Sequence, residues 1–300
     1  MPKESCALSV DLGGTNLRGA VVDRDGSILI RREVGSSKGG TADLAVEQIS
    51  SFCADLIQES RKSRIRIEGV GLGLAGFLVG RTRMQFSPNL PHLLGVDIGT
   101  QVSKAVGLPC ISENDGNCAA LGEWWIGSAR GHRNAIVLTL GTGVGGGIIS
   151  DGILLRGSRG AGAEVGHVCV DPSGPPCGCG SNGCLEVFAS GGAFARETGI
   201  PGNRLFDEAR HGDETALSAF RRFGRYLGIG ISSFCFLFDP EIIVLGGKVA
   251  RSAQFFLPDT RSEIGRRLRN HPSRNTPIVV GTQLDDAGLL GAAWLVLNRA

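Results

Sequence analysis

One pattern occurs twice in this chain and fixes most of what it can fold into. Residues 9–26 read SVDLGGTNLRGAVVDRDG, and residues 137–152 read VLTLGTGVGGGIISDG. Each is an apolar run, a glycine turn carrying a threonine, a second apolar run and an Asp-Gly pair of the kind that closes a tight hairpin. Asp11 aligns with Thr139, and Gly13, Gly14 and Thr15 align with Gly141, Thr142 and Gly143. A duplicated strand–turn–strand unit implies two related halves. Further strands are expected at CALSVDL, IEGVGLGLA, PCISE, AIVLTLG, EIIVLGG and PIVVGT. Helices fall between many of them. Residues 41–60 set Leu44, Ile49, Phe52, Cys53, Leu56 and Ile57 mostly at three- and four-residue steps behind a Thr41 N-cap. Residues 213–238 carry Leu217, Phe220, Phe223, Leu227, Ile231 and Phe234 on one side and stop at Asp239-Pro240. A last helix starts near Asp285 with Leu289, Leu290, Ala293 and Leu297. Strands interleaved with helices make the fold class α/β.

The two glycine turns also have a chemistry. Glycines let backbone N–H groups converge on anionic oxygens, and Thr15 and Thr142 add hydroxyl donors. Asp11 at a strand end repels phosphate but can hold Mg²⁺, through water. Two such turns in matching frames suit a polyphosphate gripped from both sides. Neither opens directly into a helix, which separates them from the dinucleotide-binding motif. The duplicated pattern resembles the superfamily of actin, heat-shock chaperones and sugar kinases. That resemblance implies two ribonuclease H-like domains with an interdomain cleft that close on ATP.

Charge narrows the partners. With 31 basic and 29 acidic residues the net charge is +2, which gives no footprint for nucleic acid or an acidic membrane surface. The 300 residues are 42% hydrophobic and 20% charged, enough for two ordinary domains around real cores. MPKESC is too short for a signal peptide, and no apolar run reaches membrane-spanning length, so a cytoplasmic address is expected. An odd count of nine cysteines then points to reduced thiols or metal ligands rather than disulfides.

ENDGN, residues 113–117, follows the strand PCIS and opens the helix CAALGEWW. Asn114 or Asp115 could simply cap that helix. Beside a phosphate clamp, a carboxylate there has a second use: phosphoryl transfer to an alcohol needs a group that accepts the hydroxyl proton and orients the nucleophile. Asp115 is the expected base, with Asn114 and Glu113 as supports. Its pKa need not be raised, because the proton can move late. The segment AEVGHVCVDPSGPPCGCGSNGCLE supplies His167, Cys177, Cys179 and Cys184, a tetrahedral Zn²⁺ ligand set on one glycine- and proline-rich loop, 167–184. Cys169 is an alternative ligand. The remaining Cys6, Cys53, Cys110, Cys118 and Cys235 lie in apolar elements and read as small core residues.

DLGGTN, ENDGN, LGTGVGGG, GAEVGH and CGCGSNGCLE, in this order, resemble the ROK family of bacterial sugar kinases, and its glucokinases in particular. The resemblance implies ATP-dependent phosphorylation of a hexose, most simply glucose to glucose 6-phosphate. Asp115 would be the general base, with structural Zn²⁺ on His167, Cys177, Cys179 and Cys184. It carries sugar contacts onto Asn89, Asn114, Asp115, Glu164, His167 and Glu186. ATP and Mg²⁺ fall to Asp11, Gly13, Gly14, Thr15, Asn16, Gly141, Thr142, Gly143 and an adenosine-binding turn at Gly246 and Gly247. It further implies a lobe of residues 1–117 with the helix 286–300 packed on it, a second lobe of residues 118–285, and a homodimer or homotetramer. NLPHLLG and FLVGRTRMQ depart from the family pattern beside the sugar entrance, so N-acetylhexosamine, fructose and mannose stay open as substrates. The sugar-sensing repressors of the family carry a helix-turn-helix domain ahead of the first phosphate strand, for which MPKESC leaves no room; a non-catalytic sensor remains the alternative to an enzyme. An actin-like filament protein would have no use for the zinc loop.

Overall fold

The run CALSVDL is apolar almost throughout because the strand it forms is covered on both faces. In a computed structural model that describes residues 5–36, 40–80, 82–87 and 89–298, this is β1 (Ser5–Leu12), buried along nearly its whole length. It pairs antiparallel with β2 (Asn16–Val22), which pairs with the edge strand β3 (Ile28–Gly35). Helix α1 (Ala42–Lys62) follows. The Thr41 side chain accepts the Leu44 N–H as N-cap, Asp43 sits in the first turn, and Arg61 and Lys62 sit in the last, each favourable to the helix dipole. Its buried face is Ile49, Phe52, Cys53, Leu56 and Ile57; Leu44, expected on that face, is 54% exposed in the capping turn. The chain then forms β4 (Arg66–Leu74), the hairpin β5 (Phe77–Val79) and β6 (Arg83–Phe86), helix α2 (Ile98–Val106), β7 (Cys110–Asn114) and helix α3 (Asp115–Trp125). The five-stranded sheet has the order β3-β2-β1-β4-β7, with β4 and β7 parallel to β1.

The second copy of the pattern builds the second sheet: β8 (Ala135–Leu140), β9 (Val144–Ser150) and β10 (Ile153–Leu154). Asp151 and Gly152 close the β9–β10 hairpin with positive φ at both positions (51° and 77°), as a type I′ turn requires. Helices α4 (Gly191–Thr198), α5 (Gly202–Arg210) and α6 (Glu214–Phe238) precede β11 (Ile242–Gly246), and α7 (Ala253–Arg267) precedes β12 (Ile278–Val280). The order β10-β9-β8-β11-β12 repeats that of the first sheet. Helix α6 starts at an Asp213 N-cap and ends at Asp239, whose φ of 42° takes the chain out of the helix. Its Phe220, Phe223, Leu227, Ile231 and Phe234 are buried, with Phe223 stacked on Phe194 at 5.0 Å.

The chain divides into two units. One comprises Met1–Gly127, Arg156–Gly162 and Asp286–Ala300, and the other Ser128–Leu155 and Ala163–Asp285. Helix α3 therefore lies whole in the first unit, and a boundary at 117 would cut it. The last helix, α8 (Ala287–Leu297), belongs to the first unit and packs on α3, β1 and β4. It does so through backbone. A Cβ on Gly291 would stand 1.7 Å from the Cys118 carbonyl oxygen, one on Gly122 2.1 Å from that of Ala287, and one on Gly71 2.0 Å from that of Ala292. Alanine ordinarily favours a helix over glycine by about 1 kcal/mol. Here no flexible side chain can yield, so the helices must separate, and Gly291→Ala is expected to destabilise by about 3 kcal/mol. The check is a lower urea midpoint at unchanged slope; stability at or above wild type would mean that the helix pair gives way freely.

Candidate active site and metal centre

Asp11, next to last in β1, stands opposite Arg18 of β2, and the two form an ion pair. The turn beyond is closed by the Gly13 N–H donating to the Asn16 carbonyl at 3.0 Å. Thr15 is exposed. Asn16 is committed elsewhere, its side-chain amide donating to Glu33 Oε1 at 2.6 Å. Asn89 lies against the same turn, close enough that a Cβ on Gly14 would meet its Cβ at 3.2 Å. Gly288, in the first turn of α8, faces Asp11, with its built Cβ 3.8 Å from Oδ2.

β7 ends at Asn114, which takes the capping role: its Oδ1 accepts the Asn117 N–H at 3.0 Å and its Nδ2 donates to the Gly76 carbonyl at 3.1 Å. Asp115 is thereby released from capping. Its Oδ1 accepts the neighbouring Gly116 N–H at 2.9 Å. Burial, reinforced by the charge of Asp11, pushes the Asp115 carboxyl up to about 7. Local sequence gives no reason to expect this, since the burial comes from the fold and the reinforcing charge from a different strand. Glu113 is 3% exposed and fully engaged. Oε1 accepts from the Asn114 N–H and from Asn117 Nδ2, both at 3.1 Å, and Oε2 from Arg156 Nε at 2.6 Å. The sequence reading did not include Arg156.

In the second unit the Gly141 N–H donates to the Gly143 carbonyl at 3.0 Å, the counterpart of the first turn. The first N–H groups of α4 hold it, Gly191 donating to the Gly141 carbonyl at 2.7 Å and Gly192 to that of Thr142 at 3.0 Å. Gly246 pairs with Thr139, and Gly247, at φ 78°, sits so close to Leu140 that a Cβ would come 2.5 Å from its carbonyl oxygen. The turns at 141–143 and 246–247 are thus neighbours.

The ligand atoms of His167, Cys177, Cys179 and Cys184 all lie within 4.8 Å of one another. His167 Nδ1 is 3.6 Å from Cys177 Sγ, and the Sγ atoms of Cys179 and Cys184 are 3.6 Å apart. A zinc tetrahedron with 2.3 Å bonds has edges of about 3.8 Å, so the set fits the ion. Burial and the adjacent thiols push Cys184 up to about 12. The loop is tied by Cys177 N–H to the Ser181 carbonyl at 2.7 Å and by Gly183, whose φ of 66° and contact with Asp171 exclude a side chain. Cys169 is exposed and lies outside the cluster.

Two motifs meet at the start of β9. Gly166 of the Val165–His167 turn packs so tightly on Val144 that a Cβ would stand 1.9 Å from its carbonyl oxygen. Glu186 accepts the Val144 N–H on Oε2 at 3.0 Å, with Oε1 3.9 Å from Cys177 Sγ. Glu164 precedes the same turn, its carbonyl accepting the His167 N–H at 3.1 Å. The Glu186–Val144 contact has no sequence signature, because the partner is a backbone amide.

Two sheets of the same order, each with a glycine turn after its first strand, define the fold of the actin and sugar-kinase superfamily, and this chain is an enzyme of the sugar-kinase class. It belongs to the ROK family, whose profile matches residues 7–299. It is 34% identical to a glucokinase of Thermotoga maritima, with 100% of this chain and 99% of the relative aligned. It is 36% identical to a glucokinase of Streptomyces coelicolor, over 96% of each. Its structure is similar to that of a ROK glucokinase from Streptomyces griseus in complex with glucose and AMPPNP, with a TM-score of 0.83, 36% identity, and 97% and 98% of the two chains covered.

Proposed function

We propose that this protein transfers the γ-phosphoryl group of ATP to the 6-hydroxyl of glucose, with Asp115 as general base. The observation that carries the reading is the Asp115 carboxyl at the start of α3, close enough to Asp11 to feel its charge and lifted into the range where a base works at neutral pH. Asp115 takes the proton as O6 bonds to the γ-phosphorus and the bond to the ADP oxygen breaks. Asn89, Asn114, Asp115, Glu164, His167 and Glu186 are the residues assigned to the sugar. Paired acceptors on a carboxylate suit adjacent sugar hydroxyls. The turns at 13–16, 141–143 and 246–247 serve the nucleotide.

Asp11 would hold Mg²⁺, which neutralises phosphate charge when bound. His167, Cys177, Cys179 and Cys184 would hold a structural Zn²⁺, which supplies rigidity. Nδ1 of His167 faces the thiols and would bind the metal, and the sugar contact assigned to this residue falls to Nε2. Positioning contributes more than proton transfer in such a reaction.

The test is coupled ADP release with Mg-ATP against glucose, mannose, fructose, N-acetylglucosamine and N-acetylmannosamine, with polyphosphate as a second donor. Glucose is expected to give the highest kcat/KM. Preference for an acetylated sugar would keep the mechanism and change the substrate. Silence on every sugar, from folded zinc-loaded protein, would replace the enzyme by a sensor.

A further inference from the structure

Glu113 poses a problem that its surroundings answer. A carboxylate this buried is costly unless paired and fully hydrogen-bonded. Arg156 provides the only ion pair to it among the described residues. The other two donors to Glu113 come from Asn114 and Asn117, the residues on either side of Asp115 and Gly116. Asn114 in turn caps Asn117 and ties to Gly76. The backbone that carries Asp115 is thus fixed by a network with Glu113 at its centre and Arg156 as its counter-charge.

Arg156 is itself held by a built loop. The Gly162 N–H donates to the Arg156 carbonyl at 2.9 Å, closing residues 156–162 on themselves. Gly157 and Gly160 have φ of 69° and 84°, which other residues rarely adopt, and a Cβ on Gly160 would stand 2.7 Å from the Leu78 carbonyl oxygen. These seven residues group with the first unit although the chain before and after them belongs to the second.

We infer that Arg156 is a positioning residue for the phosphoryl-transfer base: through its ion pair with Glu113 it holds Asn114 and Asn117, and through them the orientation of Asp115. It acts without touching either substrate. The inference rests on Asp115 being the base of the proposed reaction.

Arg156→Met is expected to lower kcat by about 100-fold, the cost of a displacement of the order of 1 Å at a reacting group, with KM for ATP within about threefold of wild type. The double variant Glu113→Gln/Arg156→Met removes the stranded charge and keeps an acceptor for Asn117, so it should recover at least about tenfold of that loss. A kcat within about twofold of wild type for Arg156→Met, or a double variant no better than the single, would overturn the inference. Amide hydrogen exchange at Gly116 and Asn117 supplies a readout independent of turnover. Protection there should fall at least about tenfold in Arg156→Met while α6 is unchanged, and unchanged protection would also overturn it. Failure of the base assignment would show differently, as turnover surviving in Asp115→Asn. If Arg156→Met does not fold, Arg156→Lys decides: the ion pair is kept with one donor fewer in fixed geometry, and kcat should fall by about three- to tenfold at unchanged KM. No change in kcat for Arg156→Lys together with unchanged exchange would overturn the inference as well.

Discussion

Asp115→Asn is expected to lower kcat by about a thousandfold or more while sugar binding stays within a few-fold of wild type, because the amide keeps the shape and loses the proton acceptor. Calorimetric titration of sugar and steady-state rates check the two halves separately. A variant that keeps even a tenth of kcat, about 1.4 kcal/mol of barrier, would remove Asp115 from the base role. The wild-type pH profile should agree. A base must be ionised, so kcat/KM should climb with pH through a limb near 7 and level off above it.

The same carboxyl has a stability signature of opposite sense. Its folded pKa, about 7, lies above the ordinary 3.8, so the folded chain retains a proton that the unfolded chain has released. Its contribution is fully present below the ordinary value and is lost as pH rises through 7. Asp115→Asn is therefore expected to be more stable than wild type at pH 8, by on the order of 2 kcal/mol once partial exposure is allowed for, with the difference shrinking toward pH 4. Urea midpoints at the two pH values read it. A residue lost from catalysis that strengthens the fold would mark a site built at a cost to stability.

The second large effect belongs to the metal loop. Cys179→Ser should take bound zinc from one equivalent per chain to nearly none, since the hydroxyl is a poor ligand for the ion. Structural zinc in small sites is worth about 10 kcal/mol or more in apparent binding energy. Its loss should loosen the loop at Cys177 and, through Glu186 and Gly166, the start of β9. KM for the sugar should then rise by at least about tenfold, and a chelator should do the same to wild type. Cys169→Ser, outside the cluster, is the control and should keep its metal. Normal zinc content in Cys179→Ser would mean that other residues ligate the ion.

The parts of this architecture written in local sequence were readable there. Three of the four residues of the Cys/His cluster fall between residues 177 and 184, and each glycine turn sits inside its own hairpin, so short spacing carries the signal. Thr41 caps α1 by a contact three residues long. What escaped depends on distant chain. β3 is the exception, since it pairs with the neighbouring β2; Arg31, Arg32 and Glu33 on its largely exposed edge hide the apolar pattern of a strand. Arg156 pairs with a residue 43 positions away, Glu186 engages a backbone amide, and Asp115 gains its unusual proton affinity from burial in the fold and, second, from the charge of Asp11 on another strand. None of these leaves a periodicity or a motif.

The backbone-to-backbone seat of α8 on α3, β1 and β4 bears on how the protein is made. A ribosome releases residues 5–127 long before α8, and until then the groove at Gly71 and Gly122 has no occupant that fits it. The second unit, complete by Asp285, can mature while the first waits. The last helix to emerge is thus the piece that completes the first unit, by closing over α3, β1 and β4.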